Sequence, residues 1–185
     1  PVWATVERWL ARAPDGDPQP DAMVRRYLGA FGPASVRDVQ TWSGLTRLGE
    51  ALERLRPELR TFRDEQGSEL FDLPDAPRPR EDTPAPPRFL PPLDNLLLSH
   101  SDRTRVMPAE HRERTITRQA NGALLVDGFV AGTWRVVRSR KTASLRIEAF
   151  RPVRDDDAVA AEGDRLLAWH GEDAARDVQL RVVRR

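Results

Sequence analysis

Apolar positions recur at helical spacing through the first part of the chain and alternate, strand-like, through the last. In Val2–Ala11, Val2, Val6, Trp9 and Leu10 share one face, while Glu7 and Arg8 lie on others. This predicts a short amphipathic helix, followed by a turn-rich loop at Ala13–Asp17. A second helix is expected over Asp21–Phe31, with Met23, Val24, Tyr27, Leu28 and Phe31 as its stripe. Gly32-Pro33 ends it. Ser35 followed by Asp38 is a capping-box variant, opening a helix that turns Val36, Val39 and Trp42 inward. Gly44 breaks that helix. Thr46 is read as the cap of the next, Arg47–Leu55, whose inner face is Leu48, Ala51, Leu52 and Leu55. Leu59–Phe62 and Leu70–Leu73 flank a polar, glycine-containing loop, which reads as a β-hairpin. Helix, helix-turn-helix, hairpin is the order of a winged helix.

Residues 74–92 hold eight of the 16 prolines and read as an extended linker between a helical domain (1–73) and a β-rich one (93–185). In the latter, strands are expected at Leu93–Ser99, Thr115–Arg118, Gly122–Val126, Phe129–Val137, Ser144–Phe150 and Val178–Val183. Asn121-Gly122 and Asp127-Gly128 mark tight hairpin turns, so three consecutive strands form a meander. Asp155–Leu167 reads as a helix with Val159 and Leu166 inward. The expected fold class is α+β: a winged helix, then a mainly antiparallel sheet or barrel-like domain.

Composition removes several function classes. The 185 residues contain no cysteine, hence no disulfide, thiolate nucleophile or cysteine-bearing zinc site. The three histidines, His100, His111 and His170, are too scattered to suggest a metal site. No stretch approaches the roughly 18 apolar residues of a membrane span, and the N-terminal segment is not a signal peptide. We expect no metal, no cofactor, no membrane partner and a cytoplasmic location. The chain opens at Pro1 without a methionine, which reads as a fragment of a longer protein.

The 30 basic and 29 acidic side chains nearly cancel, but unevenly along the chain. Residues 1–73 carry ten basic and 12 acidic groups, a net of −2, whereas residues 112–154 carry ten basic and three acidic, a net of +7. The recognition-helix candidate exposes Arg47 and Arg54 but also Glu50 and Glu53. The hairpin loop adds Arg63 beside Asp64 and Glu65. Both are poor phosphate surfaces. Arg138, Arg140 and Lys141 sit at a predicted hairpin tip, and Arg146 projects from the next strand. That basic hairpin suits a phosphate backbone, or is simply a solvated loop in an arginine-rich chain.

Ser99-His100-Ser101-Asp102 invites a triad reading. We reject it, because sequence neighbours rarely converge on one reacting atom and no Gly-x-Ser-x-Gly elbow is present. Asp94, Asn95 and Asp102 are read instead as a structural polar network closing a loop and orienting His100. Arg103 and Arg105 then face solvent or phosphate. Asp155-Asp156-Asp157 reads as helix capping.

The stretch Leu90-Pro91-Pro92-Leu93-Asp94-Asn95-Leu96-Leu97-Leu98-Ser99-His100-Ser101-Asp102-Arg103-Thr104-Arg105 resembles a known family. It is similar to bacterial winged-helix DNA-binding proteins that include DNA glycosylases unhooking bulky alkyl adducts and interstrand crosslinks, of the azinomycin-resistance type. Phe31–Leu45 and Val126–Trp134 also agree. The resemblance implies tandem winged helices followed by a barrel-like domain, a positively charged channel and double-stranded DNA, damaged or crosslinked, as partner. It implies that this chain is the C-terminal half, its other partner being the missing N-terminal winged-helix half. The family's catalytic signature, Gln-x-Gln or Gln-x-Asp, is expected upstream and absent here, since Asp38-Val39-Gln40 is reversed. No catalytic residue is assigned. The function expected is that of a DNA-binding portion of a glycosylase-like repair protein. The alternative is a transcription regulator or protein-interaction module using the winged helix as scaffold.

Overall fold

The structure is a computed structural model describing residues 3–13, 19–116, 121–139, 142–170 and 175–183. The chain forms two compact units, Pro1–Ala76 and Pro77–Arg185.

Unit 1 begins with α1 (Val6–Leu10), where the Thr5 hydroxyl accepts from the Arg8 amide. The helix is shorter than the expected Val2–Ala11, and Val2 and residues 14–18 of the expected loop lie outside the described residues. None of its residues is buried. α2 (Asp21–Phe31) buries Val24, Tyr27 and Leu28. α3 (Val36–Ser43) opens on the expected capping box: the Asp38 amide donates to Ser35 Oγ (3.2 Å) and the Ser35 amide to Asp38 Oδ2 (2.8 Å). It stops at Gly44, whose φ of 71° is the left-handed region that glycine tolerates.

α4 (Leu48–Leu55) buries the four residues expected, but its cap differs from the expectation. Arg47, not Thr46, occupies the N-cap position, at a φ of 61°, and makes no side-chain cap. Gln40 of α3 substitutes, accepting from the Leu48 amide at 3.1 Å. A distant side chain satisfies the helix start, so the local cap motif is not needed.

β1 (Arg60–Arg63) and β2 (Glu69–Asp72) pair antiparallel, with Arg63 opposite Glu69. Asp64 Oδ1 closes their turn by accepting from the amides of Gln66 (3.0 Å) and Ser68 (2.8 Å). Ala34 bridges to Phe71 and so ties the α2–α3 connection to the hairpin. Tyr27, Leu28, Val39, Leu52, Leu55 and Phe71 form the core.

Unit 2 is built on a five-stranded sheet in the order β3-β4-β5-β6-β7. β3 (Arg88–Leu90) falls within the stretch read as linker. It is an edge strand framed by Pro86-Pro87 and Pro91-Pro92, a position where prolines break no central ladder. β4 (Gly122–Val126) pairs with it and with β5 (Phe129–Arg138). The Asp127-Gly128 turn has positive φ at both residues, 51° and 80°, as the sequence predicts. Gly122 is obligatory, because a Cβ there would lie 2.2 Å from the Trp134 indole nitrogen and 2.5 Å from the Leu90 carbonyl.

Three expectations are corrected here. Leu93–Ser99 is not a strand: Asn95–Leu97 forms a 3-10 turn, capped by Asp94 Oδ1 accepting from the Leu96 amide (2.8 Å). Thr115–Arg118 is not a strand in its described part, because Thr115 ends α5 (Arg112–Thr115). Residues 117–120 lie outside the described residues. The meander is therefore β4, β5 and β6 (Thr142–Ala149).

β6 pairs antiparallel with β5, but β7 (Ala175–Val182) runs parallel to β6. The chain reaches β7 through α6 (Asp156–His170), and a helical crossover brings the chain back in the same direction. The sheet is thus mixed, and among the described residues its edge strands β3 and β7 are not paired to each other, so there it is open rather than a closed barrel. Asp155 Oδ1 caps α6 through the Ala158 amide (2.9 Å).

One sheet face packs Leu124, Leu145, Ile147 and Val178 under Val159 and Leu167 of α6. On the other, the segment around Leu97 and Met107 covers Ala123, Leu125 and Val130. The rest of that second face, across β5, β6 and β7, carries Thr133, Arg135, Ser144, Arg146, Glu148, Asp177 and Gln179, with Val137 among them.

Candidate nucleic-acid interface

Five arginines of unit 1, Arg25, Arg47, Arg54, Arg56 and Arg63, donate to acceptors within that unit. Arg47 donates to Glu50 at 2.7 Å. Arg54 Nη2 donates to Asp21 Oδ1 (2.6 Å) and Gln19 Oε1 (3.0 Å), tying α4 to α2. Arg56 bridges Glu53 (2.7 Å) and Glu69 (2.8 Å) with its guanidinium 5.0 Å from the Phe71 ring centre. These hydrogen bonds hold both carboxyls below their usual range. Arg25 donates to both oxygens of Glu58, at 3.0 to 3.2 Å. Arg63 folds back onto the Gly67 carbonyl of its own turn, at 2.9 Å. The candidates Arg47, Arg54 and Arg63 therefore meet protein acceptors.

The expected absence of Gln-x-Asp is wrong at the level of sequence: Gln19-Pro20-Asp21 has that spacing. Both side-chain oxygens accept from the single Arg54 guanidinium. The triplet is a helix-to-helix tie, and we assign it no catalysis.

In unit 2 the alternation of β6 decides which side chains are free. Ala143, Leu145, Ile147 and Ala149 are buried, so Ser144, Arg146 and Glu148 face outward. Register sets Arg146 directly across from Arg135 of β5, with Gln179 of β7 on its other side. Neither guanidinium has a carboxylate within ion-pair distance among the described residues. Like charges directly opposite on neighbouring strands repel, so this pair favours an anion nearby. Glu148 and Asp177 share the face; Glu148 is flanked in register by Arg181. Arg138 is exposed at the end of β5, beside the Ser139–Thr142 turn. Arg140 and Lys141 lie outside the described residues.

The His100 stretch is a series of local turns. Ser99 is fully buried, and its hydroxyl lies 2.8 Å from His100 Nδ1. Asp102 Oδ1 accepts from the Thr104 amide (2.9 Å) and hydroxyl (2.7 Å). Asp94 and Asp102 each serve an amide two residues on, the usual Asx-turn habit. Asn95 is exposed at the start of the 3-10 turn, and Arg105 is exposed on the loop. Arg103 is half-buried, and burial, then the charge of Arg112, hold its guanidinium below the usual value.

A second basic cluster went unread in the sequence. His111 is buried 4.7 Å from Phe150, ring centre to ring centre, and Arg114 lies 4.0 Å over the same phenyl ring. Arg151 Nη2 lies 3.3 Å from His111 Nε2 and 3.6 Å from Glu110. Burial first, then the charges of Arg151 and Arg114, push the imidazole pKa down against the pull of Glu110. The residues come from two distant segments, so no spacing rule gathers them. Register could have found Arg135, since it follows from pairing two predicted strands.

Among the described residues no group of three or more His, Asp or Glu is arranged to hold a metal. No described helix is long and apolar enough to cross a membrane.

Fold and surface together define a two-unit α/β protein with ion-paired arginines on α2 and α4 of its helical unit and, on its sheet, the pair Arg135 and Arg146 with no ion pair among the described residues. The family model described as DNA glycosylase AlkZ-like matches residues 1–169, and the chain belongs to that family. Among solved structures, Streptomyces sahachiroi DNA glycosylase AlkZ is similar in fold, with a TM-score of 0.73 and 22% identity. The match covers 93% of this chain and 48% of that one, so the chain spans about half the length of this relative. No curated protein matches.

Proposed function

We propose that this chain is the duplex-binding portion of a DNA-glycosylase-like repair protein, gripping phosphates with the open face of the unit 2 sheet. The observation that carries the reading is the cross-strand pair Arg135–Arg146, which among the described residues has no carboxylate within ion-pair distance. Arg103 and Arg105 extend the cationic surface of the same unit. Family membership supplies the substrate class. Unit 1, with α2, α3, α4 and the β1–β2 hairpin, reads as a winged helix whose ion pairs make it mainly a scaffold. Chemistry at the glycosidic bond, the N-terminal half, the bacterial and cytoplasmic setting and any crosslinked substrate belong to the same proposal for the longer protein. No residue here is assigned a catalytic role.

Duplex binding followed across a salt series tests this. Log affinity should fall linearly with log salt, by about 0.9 per phosphate contact. Failure to bind at low salt overturns the reading. The acid-paired charge of unit 1 favours a second reading, a regulator or protein-interaction module. That reading requires duplex affinity to be unchanged when Arg135 and Arg146 are reversed in charge.

A further inference from the structure

A pocket of about 320 Å³ opens in unit 2 between the β4–β5 turn and the segment Arg151–Arg154. Its volume is at the small end of the range of about 300–1,000 Å³ typical of small-molecule sites. Val126, Pro152 and Val153 give it apolar walls; Asp127, Arg151 and Arg154 give it charge. Phe129, the first residue of β5, also lines it and is 49% exposed.

Two features make this more than a surface dent. Asp127 and Arg154 line one cavity, yet among the described residues no ion pair joins Asp127 to either arginine. Opposite charges left apart in a shared pocket suit a ligand that carries both a donor edge and an anion. Phe129 directly follows a tight turn with positive φ at Asp127 and Gly128, and it lines the pocket although half its surface meets water. A planar apolar group laid on that ring removes surface from water on both partners.

We propose that this pocket holds one unstacked nucleotide of a DNA strand. The base lies against Phe129, its N–H edge donates to the Asp127 carboxylate, and its phosphate meets Arg154 and Arg151. A stacked duplex cannot offer a base face to Phe129, whereas a bulged or unpaired position can. Stacking a base on an aromatic side chain contributes about 1–3 kcal/mol, and arginine beside the backbone adds charge. The inference rests on the DNA reading above and names what part of the DNA this second site takes.

The test uses the full chain and two labelled duplexes, one intact and one with a single-nucleotide bulge, followed by anisotropy at low salt. Wild type is expected to bind the bulged duplex about tenfold more tightly, within the range that one stacked base supplies. Phe129→Ala should erase that preference and leave intact-duplex affinity unchanged, while Phe129→Trp keeps it. Arg154→Ala should reduce the preference. Thermal melts confirm folding of each variant, and the exposure of Phe129 makes that outcome the expected one. Equal binding of the two duplexes by wild type, or a preference that survives Phe129→Ala, overturns the pocket proposal and leaves the DNA reading standing. If neither duplex binds, the DNA reading fails and takes this one with it.

Discussion

Two sets of arginines, one on the helices of unit 1 and one on the open sheet face of unit 2, are placed in opposite ways. In unit 1, Arg25, Arg47, Arg54 and Arg56 each meet a carboxylate within 3.0 Å, so their charge is spent inside the fold. On the open face of unit 2, Arg135 and Arg146 meet each other. An exposed ion pair contributes little to stability, about 0–1 kcal/mol, but it cancels the field that would draw a phosphate. An unpartnered cross-strand pair does the reverse, costing the sheet a little and leaving charge for a ligand. Availability is therefore set by strand register and helix neighbours, and arginine abundance says little about it.

The sharpest way to break this comparison is to damage each core in turn. Leu145 and Leu52 are both fully buried, the first beneath α6 and the second against α2 and α3. Either leucine changed to alanine should cost about 2–5 kcal/mol of its own unit's stability. Leu145→Ala should abolish duplex binding at temperatures where unit 2 melts. Leu52→Ala should leave affinity within about twofold. Denaturation followed in parallel with anisotropy checks both. Loss of binding in Leu52→Ala while the sheet remains folded would move the DNA contact to unit 1.

Charge reversal gives the next largest effect. Arg135→Glu with Arg146→Glu should reduce the magnitude of the salt slope by about two and weaken binding by one to two orders of magnitude at low salt. Stability should change little, since one exposed like-charge pair replaces another. Arg47→Glu, which replaces a cation already facing Glu50, should change binding much less. Equal losses at the two sites would erase the distinction between the units.

The helical unit was legible because its signals are local. The Ser35–Asp38 capping box, the Gly44 stop and the stripe Leu48, Ala51, Leu52, Leu55 each lie within one turn or a few. The Asp127-Gly128 turn is local too. What escaped reading depends on distant partners. Arg88–Leu90 is a strand because β4 lies beside it, and Leu96-Leu97-Leu98 sits in a 3-10 turn because Asp94 caps it and Met107 packs near. Gln40 displaced Thr46 as the cap of α4 from eight residues away. For the site, Arg138 and Arg146 could be suspected from charge alone, but the placing of Arg146 directly opposite Arg135 could not. The His111–Phe150–Arg114–Arg151 cluster joins segments that only the fold brings together.

A smaller effect tests how far unit 1 relies on such local devices. Ser35→Ala removes one half of the capping box and should cost about 1 kcal/mol, read from the denaturation midpoint of unit 1. Ser35→Thr should restore most of it, because its hydroxyl can accept the same amide and still donate to Asp38. Duplex affinity should not move in either variant.

Acid separates the units by a different route and with the smallest effect. His111 is held below its ordinary value of about 6.5, chiefly by burial. Above that value neither the folded nor the unfolded chain protonates it, and its contribution to stability is complete. As pH falls below about 6.5, the unfolded chain takes up the proton first. Stability of unit 2 is then lost progressively until the pH passes the depressed folded value. In unit 1 the carboxyls that shift are Glu53 and Glu69, depressed chiefly by their hydrogen bonds to Arg56, and Glu7, depressed by a backbone hydrogen bond and by the Thr5 side chain. Their window opens only below the carboxylate value of 4.5. Between about pH 6.5 and 4.5, then, unit 2 should soften while unit 1 does not. Melts followed by amide exchange across that range check this. His111→Gln should flatten the unit 2 profile. A profile that keeps its slope in His111→Gln would mean that another group of unit 2 senses the proton.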